Sequence, residues 1–209
     1  PTVQKKYFQE KQFTNPYVFF HKLSKFTKKN DIIIPDASAN LVWFYQAFNP
    51  KKNQKIFTAL NHSPMGYSFA AAIGAAVSLN STKEIIAIIG DGSVQMNIQE
   101  IENIKNYKLP IKMFIIDNQG YGMVKQTIDT WLKKNYVGCD KSSGLSMPDF
   151  LKVFNSYGIK SIEIKNNFEL DKKIKQVLKF KGPIMCNIKV SPNARIIPKL
   201  KPGFPLHDM

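Results

Sequence analysis

The segment Glu84-Ile85-Ile86-Ala87-Ile88-Ile89 constrains this chain more than any other. After its leading glutamate it is apolar at every position, so it does not alternate as a half-exposed strand does. A run of this kind is a strand buried on both faces, as in a parallel sheet covered by helices. Gly90-Asp91-Gly92-Ser93 follows at once, and Ile98, Ile101 and Ile104 then recur at helical spacing. Ile111 to Ile116 is a second buried strand, ended by Asp117-Asn118-Gln119-Gly120. Strand, turn, helix and strand in this order form the unit of an α/β domain.

The rest of the chain repeats the alternation. Asn15-Pro16 opens a helix through Phe19, Phe20, Leu23 and Phe26, and Ile32-Ile33-Ile34-Pro35 is a short strand closed by proline and Asp36. Leu41 to Phe48 reads as a short helix and Lys55 to Ala59 as a short strand. Met65 to Leu79 reads as a helix whose alanines suit close packing against a neighbour. Ser146-Met147-Pro148-Asp149 has the serine cap, early proline and acid of a helix start, and Gly158 stops that helix. Lys160 to Ile164 is a strand, Leu170 to Phe180 a helix and Pro183 to Val190 a final strand. Residues 1–14 are a polar lead-in, expected to be an interdomain linker, and 191–209 are a proline-rich tail. The expected fold over 15–209 is a three-layer α/β/α domain with a mostly parallel central sheet. Ligands of such sheets sit beyond the carboxyl ends of the strands. The residues at two of those ends, 90–93 and 117–120, carry chemistry.

Composition removes several classes. The chain has 209 residues, 44% of them hydrophobic, enough for a sizeable core. No apolar run approaches the roughly 20 residues of a membrane helix. Pro1 to Lys6 lacks the apolar stretch of a signal peptide. Cys139 and Cys186 make neither a disulfide framework nor a zinc site, which fits reduced, inert thiols in a cytoplasm. The formal charge of +15 invites a nucleic-acid partner, but Arg195 is the sole arginine and the lysines are scattered without interleaved aromatics. A solvated, lysine-biased surface accounts for the charge, and no nucleic acid is expected.

Gly90-Asp91-Gly92-Ser93 has the parts of an anion site. Its glycines let backbone N–H groups approach closely, and the helix start that follows adds partial positive charge. Ser93 can cap that helix or donate to a phosphate oxygen. Asp91 is out of place beside a phosphate unless a divalent cation lies between them. Mg²⁺ accepts hard oxygen ligands shared between carboxylate and phosphate. Asn118, at the end of the next strand, can offer its side-chain oxygen to the same ion, and Gly120 its carbonyl.

Gly90-Asp91-Gly92, a spacer from Ser93 to Asp117, and Asn118 resemble the signature of thiamine diphosphate enzymes. Met65-Gly66-Tyr67-Ser68-Phe69-Ala70-Ala71-Ala72-Ile73-Gly74-Ala75 is similar to the methionine-glycine helix of the acetolactate synthase branch, and Met96-Asn97-Ile98-Gln99-Glu100 to the segment after its metal loop. Gly122-Met123-Val124 with Gln126, and then Pro148-Asp149-Phe150, continue the likeness. It covers about 15–209 and corresponds to the family's C-terminal, diphosphate-binding domain. The resemblance implies thiamine diphosphate and Mg²⁺ as cofactors. It implies Asp91 and Asn118 as metal ligands by side chain and Gly120 by its carbonyl. Gly90, Gly92 and Ser93 would meet the diphosphate, as would a loop of Ser38, Ala39 and Asn40 from the other side. Met65 would be the catalytic prop that bends the cofactor, Ser63 would offer a carbonyl to its amino group, and Tyr121, Gly122 and Met123 would complete the cofactor wall. Without the resemblance, Met65 and Met123 read as core, Ser93 as a helix cap and Asp117 as a turn residue. His62 falls near the expected mouth of the site, whereas His21 and His207 read as structural and as part of the tail.

Departures from the family pattern bear on the substrate. Asn61-His62-Ser63-Pro64 replaces a glycine-rich approach, Ala70 stands at a common proline position and Thr127 at that of an acceptor-pocket tryptophan. The tail Ile196-Ile197-Pro198-Lys199-Leu200 with Pro202-Gly203 resembles acetolactate-synthase-like proteins of surface-sugar gene clusters. The activating glutamate of the family lies on a pyrimidine-binding domain that no segment here resembles. The expectation is therefore a fragment or subunit, inactive alone, of a homodimeric or tetrameric enzyme that decarboxylates a 2-oxo acid and ligates the two-carbon unit to an acceptor. FAD would belong to the intact enzyme only. The alternatives are a simple 2-oxo acid decarboxylase and a nucleotide-binding module without catalysis. Against the latter stands the lack of Gly-x-Gly-x-x-Gly.

Overall fold

The computed structural model of the chain describes residues 3–199 and residue 205. Pro1, Leu200, Pro202, Gly203 and His207 lie outside the described residues. A single sheet of six strands runs β1 (Ile32–Pro35), β2 (Lys55–Ile56), β3 (Ile85–Gly90), β4 (Ile111–Asp117), β5 (Lys160–Ile164) and β6 (Ile184–Lys189). All its pairings are parallel, and the spatial order is β2-β1-β3-β4-β6-β5. Helices cover both faces, so the three-layer α/β/α fold is what the chain adopts.

Side chains of alternating parity feed two cores. Ile33, Ile86, Ile88, Phe114, Ile116 and Ile188 face α1 (Pro16–Phe26), α2 (Ser38–Ala47) and α8 (Leu170–Lys179). Ile34, Ile85, Ala87, Ile89, Met113 and Ile115 face α3 (Tyr67–Ser78), α5 (Ile101–Asn106) and α7 (Phe150–Ser156). The unbroken apolar runs exist because each strand supplies both cores at once.

Packing decides where α2 sits. Its N-cap, Ala37, makes no side-chain capping bond, and a good cap is worth only about 1 kcal/mol. Trp43 and Phe44 are each 1% exposed, and burying such a side chain is worth about 1.5–3 kcal/mol. By contrast α1 carries its own start signal. Asn15 Oδ1 accepts from Tyr17 N at 3.1 Å and Val18 N at 3.5 Å, with Pro16 as the first helical residue.

Several boundaries differ from the sequence expectation. The helix expected from Leu41 begins at Ser38, so Ser38-Ala39-Asn40 is a first helical turn and not a loop. The strand expected through Ala59 ends at Ile56, because β2 pairs only with Ile32 and Ile33 of β1. Gly90-Asp91-Gly92-Ser93 is not a loop either: a single turn, α4 (Asp91–Val94), leaves the strand directly. Asp149, not Ser146, caps α7, accepting from Lys152 N at 3.1 Å. The helix α6 (Gly122–Trp131) had no counterpart in the sequence pattern.

Residues 195–198 strap three helices together. Trp43 Nε1 donates to the Arg195 carbonyl at 3.2 Å, Gln46 Nε2 to that of Pro198 at 2.9 Å, and Tyr17 Oη to that of Ile197 at 2.9 Å. Gln126 on α6 takes both the N–H and the carbonyl of Ile196, at 2.9 and 3.1 Å.

Candidate active site at the carboxyl rim of the sheet

Strand order reverses between β1 and β3, which is where open α/β sheets form a ligand crevice. A cavity of about 280 Å³ lies there. Every residue singled out from the sequence lines it except Ser63: Ser38, Ala39, Asn40, Met65, Gly90, Asp91, Gly92, Ser93, Asn118, Gly120, Tyr121, Gly122 and Met123. Ser63 sits in the turn before Pro64, donating its N–H to the Ala59 carbonyl at 2.8 Å, and His62 is exposed outside the cavity. Trp43 and Val124 line the cavity without having been expected there.

Three helical first turns converge on this space: Ser38–Asn40 of α2, Asp91–Ser93 of α4 and Gly122–Val124 of α6. First turns carry N–H groups without intrahelical partners and the positive end of the helix dipole. The cavity is thus built for an anion. Its floor is Gly92, where a Cβ would stand 2.3 Å from Tyr121 Cε1 and 3.1 Å from Met65 Cε. Only a glycine allows the tyrosine ring and the methionine to meet there.

Asp91 is the one carboxylate among the described residues that line the cavity. It is 2% exposed. Its Oδ1 accepts from Gly92 N at 2.7 Å, and its Oδ2 from Asn118 N and Gly120 N, each at 3.1 Å. Burial first, and the neighbouring Asp117 second, push its carboxyl up to about 7. The register explains the neighbour: Gly90 pairs with Ile116, so the next residues of the two strands stand side by side. Asp117 is therefore more than a turn residue. It is 1% exposed and accepts from Lys189 Nζ at 2.7 Å and Asn187 Nδ2 at 2.9 Å.

The donor set suits a hard cation shared with a ligand. Asp91 is acidic, Asn118 brings an amide oxygen and has no side-chain partner among the described residues, and Gly120 has a backbone carbonyl. No group of three or more His, Cys, Asp or Glu among the described residues could hold a metal unaided. A cation here would fill its shell from the ligand, as Mg²⁺ does with phosphate oxygens.

Asp36, ending β1, is a positioning residue that sequence reasoning passed over. It is 1% exposed and accepts from Ser68 N at 2.9 Å and Gly66 N at 3.3 Å. Burial raises the Asp36 carboxyl above its ordinary value, and the Ser93 hydroxyl and these N–H groups act against it. No side chain caps α4. Gly66 adopts φ +89°, and Asn97 Nδ2 donates to its carbonyl at 2.8 Å. Asp36 and Asn97 together fix the turn that presents Met65. The far wall is held by the loop after α6. Cys139 O accepts from Tyr121 N at 2.9 Å, and Lys125 Nζ reaches Asp140 Oδ2 at 2.8 Å. That lysine bond holds the Asp140 carboxyl well below its usual range. Cys186 is fully buried and its thiol pushed far up, which makes it inert.

A parallel α/β domain with a cavity ringed by helical first turns at its strand-order reversal belongs to the class of open-sheet domains that bind ligands in that crevice. Residues 36–188 match the family model for the thiamine pyrophosphate enzyme, C-terminal TPP binding domain. The chain is 33% identical over 188 residues to an acetolactate synthase large subunit of Cyanidium caldarium, covering 90% of this chain and 31% of that protein. It is 30% identical to acetolactate synthase 2, chloroplastic, of Zea mays, covering 96% and 34%. With a probable acetolactate synthase large subunit of Methanocaldococcus jannaschii it shares 34% identity, covering 84% and 29%. The chain belongs to the thiamine pyrophosphate enzyme family, as its C-terminal, TPP-binding domain. It spans about a third of the length of the curated relatives it matches.

Proposed function

We propose that this domain binds thiamine diphosphate through Mg²⁺ for an acetolactate-synthase-like enzyme. That enzyme decarboxylates a 2-oxo acid such as pyruvate and ligates the two-carbon unit to an acceptor. The supporting observation is the convergence of three helical first turns on a cavity whose sole carboxylate among the described residues is Asp91. The first turns of α2, α4 and α6 receive phosphate oxygens, and Asp91, Asn118 and the Gly120 carbonyl hold the cation. Met65, Met123 and Trp43 form the apolar wall that excludes water from the ring end of the cofactor. Bound there, the cofactor supplies the nucleophilic carbon and the electron sink that decarboxylation needs.

Asp91 is committed to the metal, so the carboxylate that activates the cofactor comes from elsewhere. We assign it to a pyrimidine-binding domain of the same chain or another, in a homodimer or tetramer. Any FAD belongs to that larger assembly. No helix among the described residues is long and apolar enough to cross a membrane. We place the enzyme in the cytoplasm, although the maize relative is named as chloroplastic.

Trp43 provides the assay. The chain has two tryptophans, and Trp131→Phe leaves Trp43 as the reporter in the cavity wall. Thiamine diphosphate should change its fluorescence in this 209-residue chain only when Mg²⁺ is present, and Asp91→Ala should abolish the response. A response indifferent to Mg²⁺, or retained in Asp91→Ala, would refute the assignment.

A further inference from the structure

Lys189 stands behind the metal turn and outside the cavity. It is the register partner of Asp117 at the end of β4, and its ammonium reaches Asp117 Oδ2 at 2.7 Å. Asp117 in turn stands beside Asp91, because Gly90 pairs with Ile116. The ends of three neighbouring strands thus carry carboxylate, carboxylate and ammonium in a row. We propose that Lys189, a positioning residue acting through Asp117, makes the cation site depend on its anionic ligand: by cancelling Asp117 it leaves too little negative charge to hold a bare divalent ion. The proposal rests on the cation assignment to Asp91 made above and adds an order to it, in which cation and phosphate ligand enter together.

The charges around the turn support this. Among the described residues the cavity lining holds Asp91 and no lysine or arginine. A further acid beside the turn, Asp140, is bridged to Gly120 and is likewise matched by a lysine, with Lys125 Nζ at 2.8 Å. Asp91, Asp117 and Asp140 against Lys125 and Lys189 leave one net negative charge. Asp149 and Glu163 lie beyond Lys189, the first exposed and the second half-buried, where water screens them. Asp91, Asn118 and the Gly120 carbonyl supply three of the roughly six oxygens that Mg²⁺ takes, and Mg²⁺ gives up water reluctantly. A ligand that brings both oxygens and negative charge then decides whether the cation stays.

Lys189 is not needed to place Asp117. The Asp117 carboxylate also accepts from Asn187 Nδ2 at 2.9 Å and from Gln119 N at 3.3 Å. The two backbones are anchored as well, with Val190 N donating to the Asp117 carbonyl at 2.9 Å and Thr14 N to that of Lys189 at 2.8 Å. Lys189 adds a charge that none of these donors carries. Two strand spacings, about 10 Å, separate the ends of β3 and β6. At an effective dielectric of about 20, a unit charge at that distance changes the affinity for a divalent ion by more than about tenfold.

The probe is Mn²⁺, which suits the same oxygen ligands, followed in the 209-residue chain by loss of the free-ion EPR signal. The titration is run at about pH 8.5, where protons compete least, with and without thiamine diphosphate. The wild type should bind Mn²⁺ weakly alone and about tenfold or more tightly with thiamine diphosphate. Lys189→Gln keeps a donor for Asp117 and removes the charge; it should bind bare Mn²⁺ about tenfold or more tightly than the wild type. Lys189→Arg should behave as the wild type, and Asp117→Asn in the Lys189→Gln chain should restore weak binding. Asp91→Ala in that chain should abolish the gain, which separates the cavity from the acids beyond Lys189. If Lys189→Gln folds poorly, its melting temperature replaces the titration, and Mn²⁺ alone should raise it more than that of the wild type. An unchanged response to bare Mn²⁺ in Lys189→Gln, or a gain that survives Asp91→Ala, would overturn the proposal and leave the cation assignment standing. A wild type whose Mn²⁺ binding ignores thiamine diphosphate would overturn both.

Discussion

Asp91 gives the metal-free domain a stability that falls with pH. Its carboxyl sits at about 7 in the folded chain against an ordinary 3.8. A carboxyl raised in this way holds its proton more tightly folded than unfolded. Its contribution is therefore complete below the unfolded value and is lost as pH rises through the folded one. Within that window each pH unit is worth about 1.4 kcal/mol. Over the whole window this is on the order of a few kcal/mol, a sizeable part of the roughly 5–15 kcal/mol that typically holds a domain together. On the proposed assignment Mg²⁺ would bind the carboxylate and displace the proton, so the metal-loaded domain should lose the slope.

The measurement is urea unfolding of the 209-residue chain in EDTA, wild type against Asp91→Asn, from about pH 5 to about pH 8. Asparagine cannot ionise, but its NH₂ must face one of the three backbone N–H groups that the carboxylate accepts. That mismatch costs about 1–3 kcal/mol independently of pH, so the slope of the difference between the two proteins carries the information. His21, whose imidazole is lowered mainly by burial, titrates in both and cancels. Relative to Asp91→Asn, the wild type should lose about 1.4 kcal/mol per unit up to about pH 7 and level off above it. A flat difference below pH 7 would refute the claim that the metal-free Asp91 is uncompensated.

Three further substitutions probe the scaffold. Gly92→Ala puts a Cβ 2.3 Å from Tyr121 Cε1 and 3.1 Å from Met65 Cε; overpacking of this kind costs about 1–3 kcal/mol. The displaced ring should also weaken thiamine diphosphate binding by about tenfold or more in a Trp43 fluorescence titration. Asp36→Asn leaves a single acceptor for the N–H groups of Gly66 and Ser68. It should cost about 1–3 kcal/mol in urea unfolding and weaken cofactor binding through Met65; full cofactor affinity in that variant would show the Gly66 turn to be held by Asn97 alone. Gln126→Ala removes both hydrogen bonds to Ile196. Limited proteolysis should then cut near residues 194–199 faster than in the wild type, and an unchanged cleavage pattern would mean that the Trp43 and Tyr17 bonds suffice.

The layers of the fold were legible because the central strands feed two cores and are apolar almost throughout, with Lys112 and Asn187 as buried exceptions. What stayed hidden has specific causes. Only Ile128 of α6 is buried and no side chain caps its start, so the sequence offers no start signal for this helix, although its first turn forms a wall of the cavity. The start of α2 is Ser-Ala-Asn, and nothing in it caps the helix. Trp43 and Phe44 fix that turn from within the core, an effect that residues 38–40 do not encode. Asp36 looked like the full stop of a strand, because its partners Gly66 and Ser68 lie far along the chain. Ser63 was carried to the cavity by family likeness, and the turn that ends at Pro64 holds it outside the wall.

Register also accounts for the chemistry of the rim. Because Gly90 pairs with Ile116, the residues that follow are two buried carboxylates on neighbouring strands, Asp91 and Asp117. Like charges in that position cannot both stay ionised without compensation. Asp117 is neutralised from the other side, since β4 pairs with β6 and brings Lys189 opposite it. Asp91 has only backbone N–H donors, enough to orient it and too few to keep its carboxyl from rising. The sheet therefore leaves one uncompensated carboxylate at the mouth of a cavity ringed by helical first turns. A divalent cation carrying a phosphate ligand would satisfy both parts at once: its charge would answer Asp91, and the ligand's oxygens the unpaired N–H groups. Either part alone would leave a buried charge or buried donors unmatched, which is why the aspartate and the glycines occur together in one four-residue turn.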